Sequence, residues 1–149
     1  MKFNTKTRYG LRTMIELALN NENKNSGIFQ KDISEKQGIS LKYLDQIIAA
    51  LKAAGLLVNV AGKKSGYRIS KDPEKISIYD IYKAFEHDLY IIDCLNKDSK
   101  CDREDYCAAK EFWNNLNKHI IKYMDSIKLK ELSDKQAEIK IEEDNMYYI

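Results

Sequence analysis

Residues 30–51, Gln30-Lys31-Asp32-Ile33-Ser34-Glu35-Lys36-Gln37-Gly38-Ile39-Ser40-Leu41-Lys42-Tyr43-Leu44-Asp45-Gln46-Ile47-Ile48-Ala49-Ala50-Leu51, read as two short helices around one glycine. The first, Gln30–Gln37, buries Ile33 with Phe29 just ahead of it. It stops at Gly38, the residue type that accepts the left-handed conformation after a helix. Ser40 then supplies an N-cap, because its hydroxyl can accept from an unpaired amide of the next turn. Leu44, Ile47, Ile48 and Leu51 fall at i, i+3, i+4 and i+7, and that helix ends at Gly55. Two short helices joined by a tight glycine turn make a helix-turn-helix.

The flanks extend this pattern. Upstream, Leu11, Met14, Ile15 and Ala18 repeat the same spacing, so 5–20 is expected to be an amphipathic helix, followed by the polar loop Asn20–Gly27. Downstream, Leu56–Val60 and Tyr67–Ile69 are β-prone runs around a basic, glycine-flanked tip, which predicts a hairpin. A hairpin directly after a helix-turn-helix is a wing. Ser77 with Asp80 resembles a capping box, and Ile78, Ile81, Tyr82 and Phe85 give the next helical stripe. Leu89–Ile92 is a short apolar segment, and the polar loop Asp93–Asp105 follows. From about Tyr106 to Ile127 a long helix carries Phe112, Trp113, Leu116, Ile120, Tyr123, Met124 and Ile127 on one side. So wide a stripe calls for a symmetric partner helix, or else for packing on its own winged helix. The residues from Ser133 to Ile149 are charged and weakly patterned.

The fold class expected is therefore mostly α with a small β-hairpin wing. Its organisation is a winged helix-turn-helix over 1–85, a cysteine-containing loop over 86–107, a dimerisation helix over 108–132 and a charged tail over 133–149. At 149 residues, 44% apolar and 32% charged, the chain suits one soluble globular domain with an appended dimerisation element. No apolar run approaches the roughly 20 residues of a membrane span, and no signal peptide opens the chain. A cytoplasmic location is expected, where cysteines stay reduced and metal binding or redox sensing outweighs a disulfide framework.

The net charge of +2 conceals an asymmetry. Residues 1–70 carry 12 Lys+Arg against 5 Asp+Glu, and residues 71–149 carry 13 against 18. A basic first half points to a polyanion partner, double-stranded DNA, for that half alone. The second helix of a helix-turn-helix fits the major groove with its first turns toward base edges, which selects Lys42, Tyr43, Asp45 and Gln46. Gln46 can bond an adenine edge, Lys42 can donate to guanine or phosphate, and Tyr43 can reach a phosphate or a thymine methyl. Asp45 repels phosphates and so can select against wrong bases. Lys63 and Lys64 at the wing tip, with Arg68 on the return strand, suit phosphate or minor-groove contact. The same residues could instead be ordinary solvated groups on a winged helix that contacts proteins.

Cys94, Cys101 and Cys107 are separated by six and five residues, the spacing neither of a zinc knuckle nor of a redox Cys-x-x-Cys. Three thiolates on one loop can surround a soft centre such as an iron–sulfur cluster, zinc or copper(I), or they can be inert thiols. No nucleotide loop, Ser/His/Asp set or substrate-pocket signature is present, so an enzyme is not expected; an iron–sulfur electron carrier would be the nearest such role.

The opening Lys6-Thr7-Arg8-Tyr9-Gly10-Leu11, the stretch from Asp32 to Gln46 and the wing ending Gly66-Tyr67 together resemble the Rrf2 family of winged-helix transcription regulators, which has IscR-, NsrR- and CymR-like branches. The resemblance covers roughly residues 1–133. It implies a homodimer with paired reading heads, the long helix crossing to the partner through Trp113, Leu116, Ile120 and Tyr123, and DNA affinity set by a 2Fe–2S cluster on Cys94, Cys101 and Cys107. In the CymR-like branch it implies instead a cluster-free regulator of sulfur metabolism, controlled by thiol oxidation or a metabolic-enzyme partner.

The chain departs from that pattern in several places. The first cysteine gap is six residues rather than five, and the wing tip reads Gly62-Lys63-Lys64-Ser65-Gly66 rather than a Pro/Gly-rich run. Lys110 stands three residues after the last cysteine, where IscR-like members place a histidine ligand, and Arg8 replaces the aspartate of NsrR-like members. A protonated lysine is a poor donor. The fourth-ligand candidates are therefore Glu111, on the Cys107 face of the helix, then Asp105, then a donor from the partner's first helix.

Overall fold

The computed structural model describes residues 2–21, 26–61 and 66–148. Six helices and one hairpin follow the order α1 (Thr5–Leu19), α2 (Gln30–Gln37), α3 (Leu41–Ala53), β1 (Leu57–Asn59), β2 (Tyr67–Ile69), α4 (Ile78–Lys83), α5 (Ala108–Ser126) and α6 (Leu129–Met146). The punctuation residues act as their chemistry requires. The Asn4 side chain accepts from the Thr7 amide at 2.7 Å, and the Ser40 hydroxyl accepts from the Tyr43 amide at 3.3 Å. Ser77 and Asp80 form a reciprocal capping box with both bonds at 3.1 Å. Gly38 and Gly55 sit at φ 64° and 71°, so each helix before them stops where a side chain would be strained.

The hairpin pairs Leu57 with Ile69, Val58 with Arg68 and Asn59 with Tyr67. Ile28, just ahead of α2, adds a partial third strand by exchanging two backbone bonds with Tyr67, each at 2.9 Å. A single core joins the layers: Met14 and Leu17 from α1, Ile33 from α2, Leu44, Ile47, Ile48 and Leu51 from α3, and Leu57 and Ile69 from the wing base all pack together. Ile76, Ile81 and Leu129 close it from the far side.

The C-terminal third differs from the sequence expectation. The 108–132 segment is not one helix: α5 ends at Ser126, Ile127 and Lys128 are extended, and α6 begins at Leu129. The backbone around α4's N-terminus causes the break, because the Ile78 amide donates to the Ile127 carbonyl at 3.0 Å and the Leu129 amide to the Ile76 carbonyl at 2.9 Å. Within the charged tail, 133–146 is the body of α6, folded back along α1. Its packed positions include Leu129, Leu132, Ser133, Gln136 and Ala137, a helical spacing whose large apolar residues end with the first turn, too short a stripe for hydrophobic periodicity to mark. No helix of the described residues is long and apolar enough to cross a membrane.

Candidate nucleic-acid interface and thiol site

The start of α3 presents Lys42, Asp45 and Gln46 to solvent. Tyr43 is half-buried, its ring packed edge-on against Tyr9 at 5.8 Å and 88°. That contact braces α3 on α1. Asp45 is held from the preceding helix: Gln30 Nε2 donates to its Oδ1 at 2.5 Å and to the Leu41 carbonyl at 3.3 Å. A carboxylate in the first turns of α3 is thus held by a residue 15 positions earlier, and no local pattern marks Gln30 for that task.

Lys63 and Lys64 lie outside the described residues. Arg68 is half-buried at the base of the wing, donating from its guanidinium to the Ile69 carbonyl at 3.2 Å. It borders a cleft of about 770 Å³ shared with Lys71, Glu74, Lys130 and Asp134, so it stands at the root of the hairpin beside α6.

The three thiols are free and are spread along the segment that leads into α5. Cys94 lies half-buried in a 3-10 turn, Asp93–Leu95, that packs on α5. Cys107 is the N-cap residue of α5, and its carbonyl accepts from the Lys110 amide at 3.2 Å. Cys101 is exposed between them. Just ahead of this segment Asn117 fastens the chain to α5, donating to the Leu89 carbonyl at 2.8 Å and accepting from the Ile91 amide at 3.0 Å. Asn117 is buried, so these bonds satisfy both ends of an amide that would otherwise be costly to enclose.

Lys110 occupies the first turn of α5, and its ammonium bonds the Glu104 carboxylate. The hydrogen bond to Glu104 holds the lysine above its ordinary pKa against desolvation, and the nearby Glu104, Cys94 and Cys101 act in the same direction through their charge. Lys110, three residues after Cys107, thus stands within electrostatic reach of Cys94 and Cys101. Among the described residues no three Cys, His, Asp or Glu side chains are gathered closely enough to hold a metal ion. The donor set fits a soft iron centre by its chemistry, three free thiols, while Lys110 does not supply a fourth ligand. Glu111 and Asp105 are both exposed, Glu111 in the first turn of α5 and Asp105 in the 3-10 turn Glu104–Tyr106.

One turn further along α5, Phe112 (60% exposed), Trp113, Leu116 and Tyr123 (68%) form an apolar stripe open to solvent, with Ile120 half-buried between them. The Phe112 and Trp113 rings pack edge-to-face at 5.0 Å. Among the described residues, Phe112, Trp113, Leu116 and Tyr123 all remain exposed.

Comparison with known proteins matches residues 3–135 to the Rrf2 family, described as iron-dependent transcriptional regulators. The HTH-type transcriptional regulator IscR of Vibrio vulnificus is 34% identical over 141 residues, 95% of this chain and 82% of that protein. IscR of Cronobacter sakazakii is 31% identical over 141 residues, covering 95% and 85% of the two chains. Among solved structures, CymR, the global cysteine regulator of B. subtilis, superposes with a TM-score of 0.75 at 28% identity, covering 91% of this chain and 98% of that one. The IscR of T. potens gives 0.72 at 31% identity, covering 91% and 88%.

Proposed function

The chain belongs to the Rrf2 family of transcriptional regulators, and on that premise we propose that it acts as a cytoplasmic homodimer on double-stranded DNA, its affinity set by a 2Fe–2S cluster held through Cys94, Cys101 and Cys107. The observation that supports this reading is the shared location of sensor and interface: the three thiols lie on the segment that leads into the same helix whose exposed stripe invites a second copy.

Lys42 and Gln46 meet base edges from α3, and Tyr43 reaches the backbone from a ring braced on Tyr9. Lys63, Lys64 and Arg68 act from the wing on phosphates. Trp113, Leu116, Ile120 and Tyr123 seat against their counterparts in the partner, removing the apolar stripe from water. When bound, an iron–sulfur centre would supply a redox-sensitive tie among the three thiolates. The fourth donor is Glu111 or Asp105, or comes from the partner chain. Asn117 and the Cys107 cap link the cysteine segment to α5, and the bonds at Ile76 and Ile78 link the end of α5 to α4. A change in the order of the segment therefore has a connected route to the relative tilt of the two reading heads.

The test is a visible absorption spectrum of protein purified without oxygen, wild type beside Cys101→Ser, with duplex binding measured on the same samples. A thiolate-to-iron band lost in Cys101→Ser supports the proposal, and a colourless wild type that resists reconstitution refutes the cluster. The alternative is the same regulator without a cluster, controlled by thiol oxidation or by a metabolic-enzyme partner. Lys110, paired with Glu104 among the thiols where a ligand would stand, is the observation that favours it.

A further inference from the structure

Glu16 is 2% exposed, a carboxylate in the middle of α1 enclosed by two other helices. Lys36 of α2 donates to its Oε1 at 3.1 Å, and Gln37 of α2 donates to its Oε2 at 3.1 Å. Lys140 of α6, 124 residues away, reaches the same Oε2 at 3.4 Å. Arg12, one turn ahead on α1, donates to the Gln37 carbonyl at 2.6 Å and to its side-chain oxygen at 3.1 Å. These groups line a cleft of about 430 Å³ between α1, the end of α2 and the middle of α6.

A buried carboxylate is costly unless its charge is met, and the bonds that meet it strengthen as water is excluded. With α6 docked, Lys140 adds a second cation to the one Lys36 already supplies and walls one side of the cleft. With α6 displaced, water reaches both oxygens and competes with Lys36 and Gln37. The grip on the last turn of α2, immediately before the Gly38 turn that aims α3, loosens accordingly. We infer that Glu16 is a positioning residue for DNA reading and that α6, through Lys140, sets how firmly α2 is held in the orientation that presents α3. The inference rests on α3 being the reading helix, as proposed above, and concerns a helix which that function leaves without a task.

Four full-length variants test it: Lys140→Glu, Lys140→Met, Lys140→Arg and Glu16→Gln. Hydrogen exchange is followed at Ser34, Glu35, Lys36 and Gln37, with α4 amides as reference. Affinity and salt dependence are measured on a duplex that the wild type selects from a random-sequence library. Lys140→Glu is expected to speed α2 exchange about tenfold and to weaken duplex binding about fivefold or more, within the usual range of coupling between sites, with an unchanged salt slope. Lys140→Met shifts both in the same direction by less, Lys140→Arg restores the wild-type values, and in a Glu16→Gln background position 140 loses its influence. Unchanged α2 exchange in Lys140→Glu overturns the latch. Faster exchange with unchanged affinity overturns the positioning role, and a salt slope reduced by about one unit shows Lys140 touching phosphate itself, which overturns it too. If the wild type enriches no duplex, the DNA proposal fails, and the exchange data alone decide whether α6 holds α2.

Discussion

Replacing Gly66 with alanine tests how the wing is fastened to the body. A Cβ built at Gly66 would lie 2.8 Å from the Gly27 carbonyl carbon and 3.0 Å from both the nitrogen and the carbonyl carbon of Ile28. Every one of these neighbours is backbone, so no side chain can swing aside. The Ile28 strand must move away from Tyr67, and the two 2.9 Å bonds between them lengthen or break. If the pair weakens by the worth of one such bond, about 1 kcal/mol net is lost, and strain of this kind in a packed region adds about 1–3 kcal/mol. The expected loss is thus about 2–4 kcal/mol. For a domain of this length each kcal/mol lowers the melting temperature by about 3 °C, so calorimetry should show a fall of about 6–12 °C. Hydrogen exchange should locate the damage at the Ile28 and Tyr67 amides. A melting temperature within about 1 °C of wild type, with those two amides still protected, would refute the backbone-contact reasoning.

Gln46→Ala should cost about 1–3 kcal/mol of duplex binding and relax selectivity at one position per half-site, read by anisotropy against single-base variants of the selected duplex. If two copies meet through the α5 stripe as proposed, Ile120→Asp would enclose an unpaired charge there, at a cost of several kcal/mol, and should give monomer or aggregate in sedimentation where the wild type is expected to run as a dimer. Glu16 sets an acid limit. Burial would raise its pKa, but the Lys36 hydrogen bond and the charges of Lys140 and Lys36 outweigh that and hold it below the ordinary value of 4.5. Its contribution is therefore complete above that value and is lost as pH falls through the lower folded-state pKa. Denaturant titrations should show Glu16→Gln less stable than wild type at neutral pH, with the gap closing on acidification below pH 4.5. A gap that stays constant with pH would count against the pairing.

The first four helices and the hairpin were legible because their signals are local. A cap reaches three residues, a C-terminal glycine acts on its own φ, and an apolar stripe repeats within one helix, so Ser40, Gly38 and the Leu44–Leu51 face define α3 without reference to anything distant. The thiols and the α5 stripe were legible as residue types. Their meaning as a site was not, because Lys110 joins Cys94 and Cys101 only through the path of the intervening chain. Gln30 was missed for the same reason: a glutamine ahead of one helix says nothing about a carboxylate on the next.

Sequence alone determined the winged helix-turn-helix, the order of its parts and the candidate reading residues, since each depends on interactions a few positions apart. The tertiary structure decided where the chain turns after α5 and where α6 docks. Ile127 and Lys128 leave helical geometry to pair with the backbone around Ser77, an edge contributed from about 50 residues earlier. Glu16 reads as one more solvated charge on α1 until α6 folds across it, and burial of a charge is a property of what surrounds it.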